Sequence, residues 1–272
     1  IKERAERSAR AVHPLPPAER AGGPCALELP SVRGDTRGVI AATHVDARPG
    51  HAGSTSTRSD LLARWGIVAV VGAHLALGAA FIDRLSLWGD EGFTAETVRL
   101  PIGEMWAMLT DIDVNMSAYY TVLSAWTWLV GDSDVALRAP SLLMTAATTL
   151  IGARLVARWF GPVPGLAAAV GLGLSSYLLR VGLTARPFAM LGLLLVVSTW
   201  CLVRALGRED LWPWLVVALV DVVALYTSLL AVLFIGAQVL HVVLVDRRFR
   251  RAQLVAAAVL AVGCLPTLVF LA

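Results

Sequence analysis

Two neighbouring carboxylates, Asp90 and Glu91, stand in the segment Leu87-Trp-Gly-Asp-Glu-Gly-Phe93, between two glycines and beside a tryptophan. The glycines let the backbone turn tightly, and tryptophan favours a boundary between water and lipid. A carboxylate held there is able to take a proton from a hydroxyl as general base, once the two come within hydrogen-bond reach. The same pair would also serve merely to cap a short helix, and the segment alone leaves both readings open.

Arginines form the second group. Arg138 in Ala136-Leu-Arg-Ala-Pro-Ser141 and Arg186 in Thr184-Ala-Arg-Pro-Phe188 each sit where an apolar run ends. A guanidinium at such a place suits a phosphate or pyrophosphate, which it binds bidentately. Snorkelling to lipid headgroups or pairing with a loop carboxylate is the competing role, and it fits Arg180 better than the other two. Asp221 lies inside an apolar run, where an ionisable group is costly and by default functional, although a structural hydrogen bond to a neighbouring helix serves equally well. His74 and His241 read as core or interfacial residues. Asp111 and Asp113 have the spacing of a metal-binding pair but read better as a solvated loop.

These residues are positioned by a chain of unusual composition. Of its 272 residues 57% are hydrophobic and only 16% charged, with a mean hydropathy of +0.69. An ordinary soluble domain is nearer half apolar and a quarter charged, so a soluble enzyme is excluded. Apolar runs occupy about 61–82, 117–130, 139–157, 163–180, 187–204, 211–245 and 254–272. Most have the length that roughly 30 Å of hydrocarbon demands of a helix, and the class is an all-α polytopic membrane protein. The three cysteines, Cys25, Cys201 and Cys264, spell out neither a disulfide framework nor a zinc site. The net charge of +3 reflects arginines at the ends of apolar runs, and no nucleic-acid partner is expected.

Two runs have the wrong length for one span. The 211–245 run is long enough for two and divides at Tyr226-Thr-Ser228, its most polar central point. The 117–130 run is too short, and its hydroxyl and aromatic residues suit the interface. If it does not span and the N-terminus is cytoplasmic, 18 of the 23 Lys and Arg lie inside; if it spans, the division is 13 to 10. The positive-inside rule selects the first arrangement. It has seven spans, at about 61–82, 139–157, 163–180, 187–204, 211–226, 228–245 and 254–272, with a long external loop over 83–138. That loop holds nine acidic residues against three arginines. Within it Ile102, Met105, Trp106 and Leu109 recur at helical spacing, predicting an amphipathic helix over 101–111 that lies flat on the membrane. Residues 1–58, with His13, His44 and His51, read as a disordered cytoplasmic tail, and 59–272 as a membrane module. The start at Ile1 and the end inside an apolar run read as part of a longer protein.

The order of these features resembles the GT-C superfamily of membrane glycosyltransferases, in its protein-mannosyltransferase and aminoarabinose-transferase (family 39) branch. The resemblance covers about 61–272 and rests on Trp88-Gly-Asp-Glu91, Tyr119-Tyr120, Gly131-Asp-Ser-Asp-Val-Ala-Leu-Arg138-Ala-Pro-Ser141, Ala185-Arg-Pro-Phe188 and Tyr226-Thr-Ser228. It implies inverting transfer of a mannose- or arabinose-like sugar from a polyprenyl-phosphate donor to a lipid, glycan or protein acceptor, on the extracytoplasmic face of the plasma membrane. The acidic role in the first external loop would map onto Asp90, with Glu91 beside it. Donor-phosphate binding would fall to Arg186 and Arg138, and Trp88, Tyr119, Tyr120 and Tyr226 would line the substrate. Many relatives carry a His/Lys-Pro-Pro segment before the paired tyrosines, where this chain has Asn115-Met-Ser-Ala118. No cofactor is expected, and Pro187-Phe-Ala-Met-Leu191 lacks the carboxylates that metal-using relatives add, so the sequence does not support a divalent metal. The rival readings are a multi-pass transporter or lipid-linked sugar flippase, favoured only by Asp221, and an inactive assembly subunit.

Overall fold

The computed structural model describes residues 58–84, 86–112, 114–245 and 251–271. The tail expected over 1–58 lies outside the described residues apart from Arg58, as do Asp113 and the basic residues 247, 248 and 250. Eleven α-helices and no strand occur among the described residues. They are α1 (Arg58–Phe81), α2 (Gly89–Arg99), α3 (Ile102–Ile112), α4 (Ser117–Val130), α5 (Asp134–Phe160), α6 (Pro162–Gly173), α7 (Ser176–Gly182), α8 (Phe188–Ala205), α9 (Leu211–Leu225), α10 (Ala231–Val245) and α11 (Arg251–Leu271). A single 3-10 turn, Val114–Met116, precedes α4.

Each of the seven predicted spans falls on helix. Helices α1, α5 and α8 are long and apolar enough to cross a membrane, while α9, α10 and α11 are shorter apolar helices. The span predicted over 163–180 is not one straight helix: it breaks into α6 and α7, bent by 60°. The break has a local cause. Ser175 is extended and its hydroxyl accepts the Leu178 N–H at 3.5 Å, so the side chain starts a new helix where the old one ends. Helix α6 is packed very closely on α5, since a Cβ added at Gly165 would stand 2.4 Å from the Ala157 Cβ. Buried His74 of α1 links both neighbours, through Nδ1 to the Gly173 carbonyl at 2.8 Å and through Nε2 to the Thr145 hydroxyl at 2.9 Å.

The loop predicted over 83–138 folds into α2, α3 and α4. The apolar stripe of α3 is divided between two environments. Met105 and Leu109 are buried in a cluster with Tyr119, Tyr120, Leu123, Leu137 and Met190, while Ile102 and Trp106 stay exposed. Two buried residues thus dock the helix, and two are left for the surroundings.

Helix α4 is tied at both ends to one end of the bundle. The Ala118 N–H donates to the Tyr226 carbonyl at the close of α9 (3.0 Å), and the Trp126 indole donates to the Ala136 carbonyl in the first turn of α5 (2.9 Å). With 14 residues it extends about 21 Å, short of roughly 30 Å of hydrocarbon. The second bond answers a defect in α5. Pro140 lies inside that helix and has no N–H to give to the carbonyl four residues earlier, which is Ala136. The indole of Trp126 fills that vacancy.

Trp126→Phe should therefore destabilise the protein by about 1–3 kcal/mol, the cost of a buried acceptor left unmade. In a Pro140→Ala background, which restores the helical N–H, thermal melting in detergent should show a clearly smaller penalty. An equal penalty in both backgrounds would disprove the coupling.

Candidate functional site

Chain direction brings the sequence-predicted residues to the end of the bundle that carries α2 to α4. Helix α1 ends there, α2 follows after a short turn, α5 starts there, and the segment 183–187 lies there between α7 and α8. Trp88 is the N-cap of α2 without a side-chain cap bond, and its carbonyl accepts the N–H groups of Glu91 and Gly92. Asp90 and Glu91 thus occupy the first turn of an 11-residue helix, whose free N–H groups and dipole favour negative charge.

The two carboxylates point to different environments. Glu91 is wholly buried. Its Oε1 accepts from Arg138 Nε at 3.0 Å and from the Ala185 N–H at 2.8 Å, and its Oε2 accepts from Arg138 Nη2 at 2.7 Å. Arg138, itself 1% exposed, gives Nη1 to the Ile82 carbonyl at 2.9 Å and Nη2 to the Ser86 carbonyl at 3.2 Å. Burial alone would raise the Glu91 pKa; the Arg138 guanidinium and the Ala185 amide outweigh it and hold the carboxyl below its ordinary value. The close donors to Glu91 are thus groups of the fold itself.

Asp90 is left facing outward, its side chain 51% exposed, and Oδ2 stands 3.4 Å from Nη2 of Arg186, whose side chain is 18% exposed. The Arg186 guanidinium also lies 6.0 Å from the centre of the Phe188 ring. Of the four charged residues singled out in the sequence, Asp90 and Arg186 form the accessible pair, and Glu91 and Arg138 the buried one.

Aromatic residues lie nearby. Tyr119 and Tyr120 are both 2% exposed, with ring centres 5.5 Å apart, and Phe93 of α2 meets Tyr120 edge to face at 6.5 Å. Burial pushes the Tyr119 phenol well above its ordinary pKa, against the opposing pull of Arg186 and the Ser141 hydroxyl, so it stays protonated at neutral pH. Trp88 is 55% exposed. Tyr226 is turned elsewhere: its hydroxyl donates to the Gly263 carbonyl of α11 at 3.0 Å.

The partners that reasoning on residue types missed are mostly backbone groups, namely Ala185 N–H and the Ile82 and Ser86 carbonyls, which carry no signal in residue identity. Asp221 acquires the partner that the sequence could not name. The Ser198 hydroxyl of α8 donates to its Oδ1, and Gln238 Nε2 of α10 donates to Ser198 at 3.0 Å. Among the described residues no three His, Cys, Asp or Glu side chains gather as a metal-binding group.

Replacing Glu91 with Gln should leave the Arg138 charge buried without its counter-ion and cost about 3–5 kcal/mol of stability. The pH dependence has a definite sign. Because the folded-state pKa lies below the ordinary value of 4.5, the brace contributes fully above that value and is lost as pH falls through the lowered one. Melting curves should show a loss of stability in that acid window that is larger in wild type than in Glu91→Gln; parallel curves would contradict the assignment.

Comparison with family models matched residues 116–270, to a model described as dolichyl-phosphate-mannose-protein mannosyltransferase. Tyr119, Tyr120, Arg138, Arg186 and Tyr226 lie inside the matched stretch, and Asp90 and Glu91 precede it. No curated protein and no solved structure gave a match.

Proposed function

The chain belongs to the dolichyl-phosphate-mannose-protein mannosyltransferase family and is a membrane glycosyltransferase of the GT-C type; from that premise we propose that it transfers a mannose- or arabinose-like sugar from a polyprenyl-phosphate donor, with Asp90 as base and Arg186 as phosphate clamp. The observation that carries the proposal is the accessible Asp90–Arg186 pair at 3.4 Å, with buried Tyr119 close enough to feel the Arg186 charge.

The chemistry follows from the two charges. An acceptor hydroxyl gives its proton to the Asp90 carboxylate while its oxygen bonds to the anomeric carbon of the sugar. The bond from that carbon to the phosphate oxygen breaks, and the electron pair leaves with the polyprenyl phosphate. Arg186 meets the charge that develops on the phosphate as it departs. Nucleophile and leaving group act on opposite faces of the carbon, so one displacement inverts its configuration.

Several features support the external placement in the plasma membrane. Arg154 and Arg158 of α5, Arg204 in the last turn of α8, Arg208 just after it and Arg251 at the start of α11 lie at ends remote from Asp90, while Arg138 of α5 is bonded to Glu91 at the site end; the excess at the remote ends is what the positive-inside rule asks of a site on the extracytoplasmic face. With both ends of α4 tied to the site end, that helix adds no crossing in this reading, which keeps to the seven spans read from the sequence. The acceptor, whether lipid, glycan or protein, would approach over Trp88 and the exposed side of α2. Among the sequence candidates Glu91 and Arg138 take a bracing role in this reading, and Tyr119 and Tyr120 a supporting one under the sugar.

Transfer of radiolabelled sugar from polyprenyl-phosphate donors, in membranes carrying the full-length protein, tests the assignment. At matched expression Asp90→Asn should lower the rate by about 100- to 10,000-fold, and Arg186→Ala by about 100- to 1,000-fold. Undiminished transfer by Asp90→Asn would remove the base. No transfer from any donor by wild type would bring back the transport reading.

A further inference from the structure

At the far end of the bundle from Asp90 lies a concavity of about 560 Å³, bounded by the start of α1, the last turns of α5 and the start of α6. Its charged groups are Arg64 and Asp60 of α1 and Arg154 of α5; Ile67, Leu150 and Pro162 are among its apolar walls. Arg154 follows Arg138 by 16 residues on α5, which separates the two by about 24 Å along the helix. That is near the thickness of a hydrocarbon layer, so the cavity lies at the opposite membrane surface from the site.

Its charges do not cancel. Arg64 and Arg154 are both exposed and neither makes an ion pair with a described residue, and against their two positive charges the cavity holds the one carboxylate of Asp60. The surroundings are apolar and open: Leu61 is 48% exposed, Trp65 69% and Phe160 69%. A net positive charge of one, on two guanidiniums from different helices, complements a single phosphodiester bearing one negative charge. Open apolar side chains beside it suit acyl chains and an indole at the headgroup level. Basic recesses between membrane helices on the positively charged side are a recurrent setting for anionic lipid headgroups.

We propose that this cavity binds the phosphate of an anionic glycerophospholipid of the leaflet opposite the Asp90–Arg186 site, between Arg64 and Arg154. Asp60 accepts hydrogen bonds from headgroup hydroxyls, and the acyl chains run along Trp65 and Val68. The proposal rests on α1 and α5 crossing the membrane and not on the sugar-transfer reading.

Native mass spectrometry and thermal melting of the full-length protein would test it, after reconstitution with phosphatidylglycerol, with phosphatidylcholine, or in detergent with inorganic phosphate. Wild type should retain phosphatidylglycerol at least about tenfold more strongly than the Arg64→Gln/Arg154→Gln double variant, the scale of a lost charge-assisted hydrogen bond. Phosphatidylcholine should show no such difference. Arg204→Gln, which removes a charge at the same end but outside the cavity, should retain phosphatidylglycerol as wild type does. Equal retention of the two lipids by wild type would overturn the proposal. So would an equal loss in Arg204→Gln, which would mean general attraction to a basic surface. Stabilisation by inorganic phosphate matching that by phosphatidylglycerol would assign the cavity to a free anion and overturn the lipid.

Discussion

The buried pair of Glu91 and Arg138 is the constraint on which the site end depends. Taking two charges out of water costs several kcal/mol per ion, and the cost is recovered only where geometry is good and the remaining donors and acceptors are filled. Here the fork of Arg138 meets both carboxylate oxygens and also takes the carbonyls of Ile82 and Ser86, while the Ala185 amide completes Glu91. One interaction therefore joins the end of α1, the turn after it, α2, α5 and the segment before α8. No apolar contact could fix five stretches of chain at that angular precision, because dispersion and hydrophobic burial have no direction.

Its consequence for the chemistry lies in adjacency. On a helix, consecutive residues point about 100° apart, so locking Glu91 inward turns Asp90 outward. Across the junction the same logic recurs: the Ala185 amide is anchored to Glu91, and Arg186, the next residue, reaches Asp90. Each proposed reacting group is presented by the neighbour that braces it. A charge held on a rigid, water-excluded support needs little rearrangement when charge develops opposite it. In the proposed site the buried rings of Tyr119 and Tyr120, with half-exposed Phe93 edge to face on Tyr120, add to that support.

Much of this was legible in the sequence. Hydropathy placed every long apolar helix within a few residues, because the bilayer sets a length that leaves few alternatives. Helix α3 was legible from its period, but not the division of its stripe, since Met105 and Leu109 find partners only when α4 and α5 arrive. The bend after Leu174 was missed because apolar composition hides a break that a single serine cap creates. At the site, residue type and sidedness singled out all four charged residues, yet could not pair them. Asp90 and Glu91 are equivalent as letters, and burial alone distinguishes them. The backbone partners and the indole bond to Ala136 left no trace in composition at all.

Helix α5 shows why sidedness carried information that motif reading lacked. It bears arginines at both ends, Arg138 and Arg154, with the same chemistry and opposite fates: one buried and fully bonded within the fold, the other exposed at the mouth of a cavity. An arginine on the positively charged side of a membrane needs no special reason, because lipid phosphate and water satisfy it. An arginine on the other side has lost that default and must find its counter-charge within the protein. Glu91 is that counter-charge for Arg138, and Asp90 is the corresponding one for Arg186. Of these two bonds the second is longer, half exposed and single, so in the proposed mechanism a donor phosphate would take the place of Asp90 at Arg186, whereas Glu91 holds Arg138 through two buried bonds.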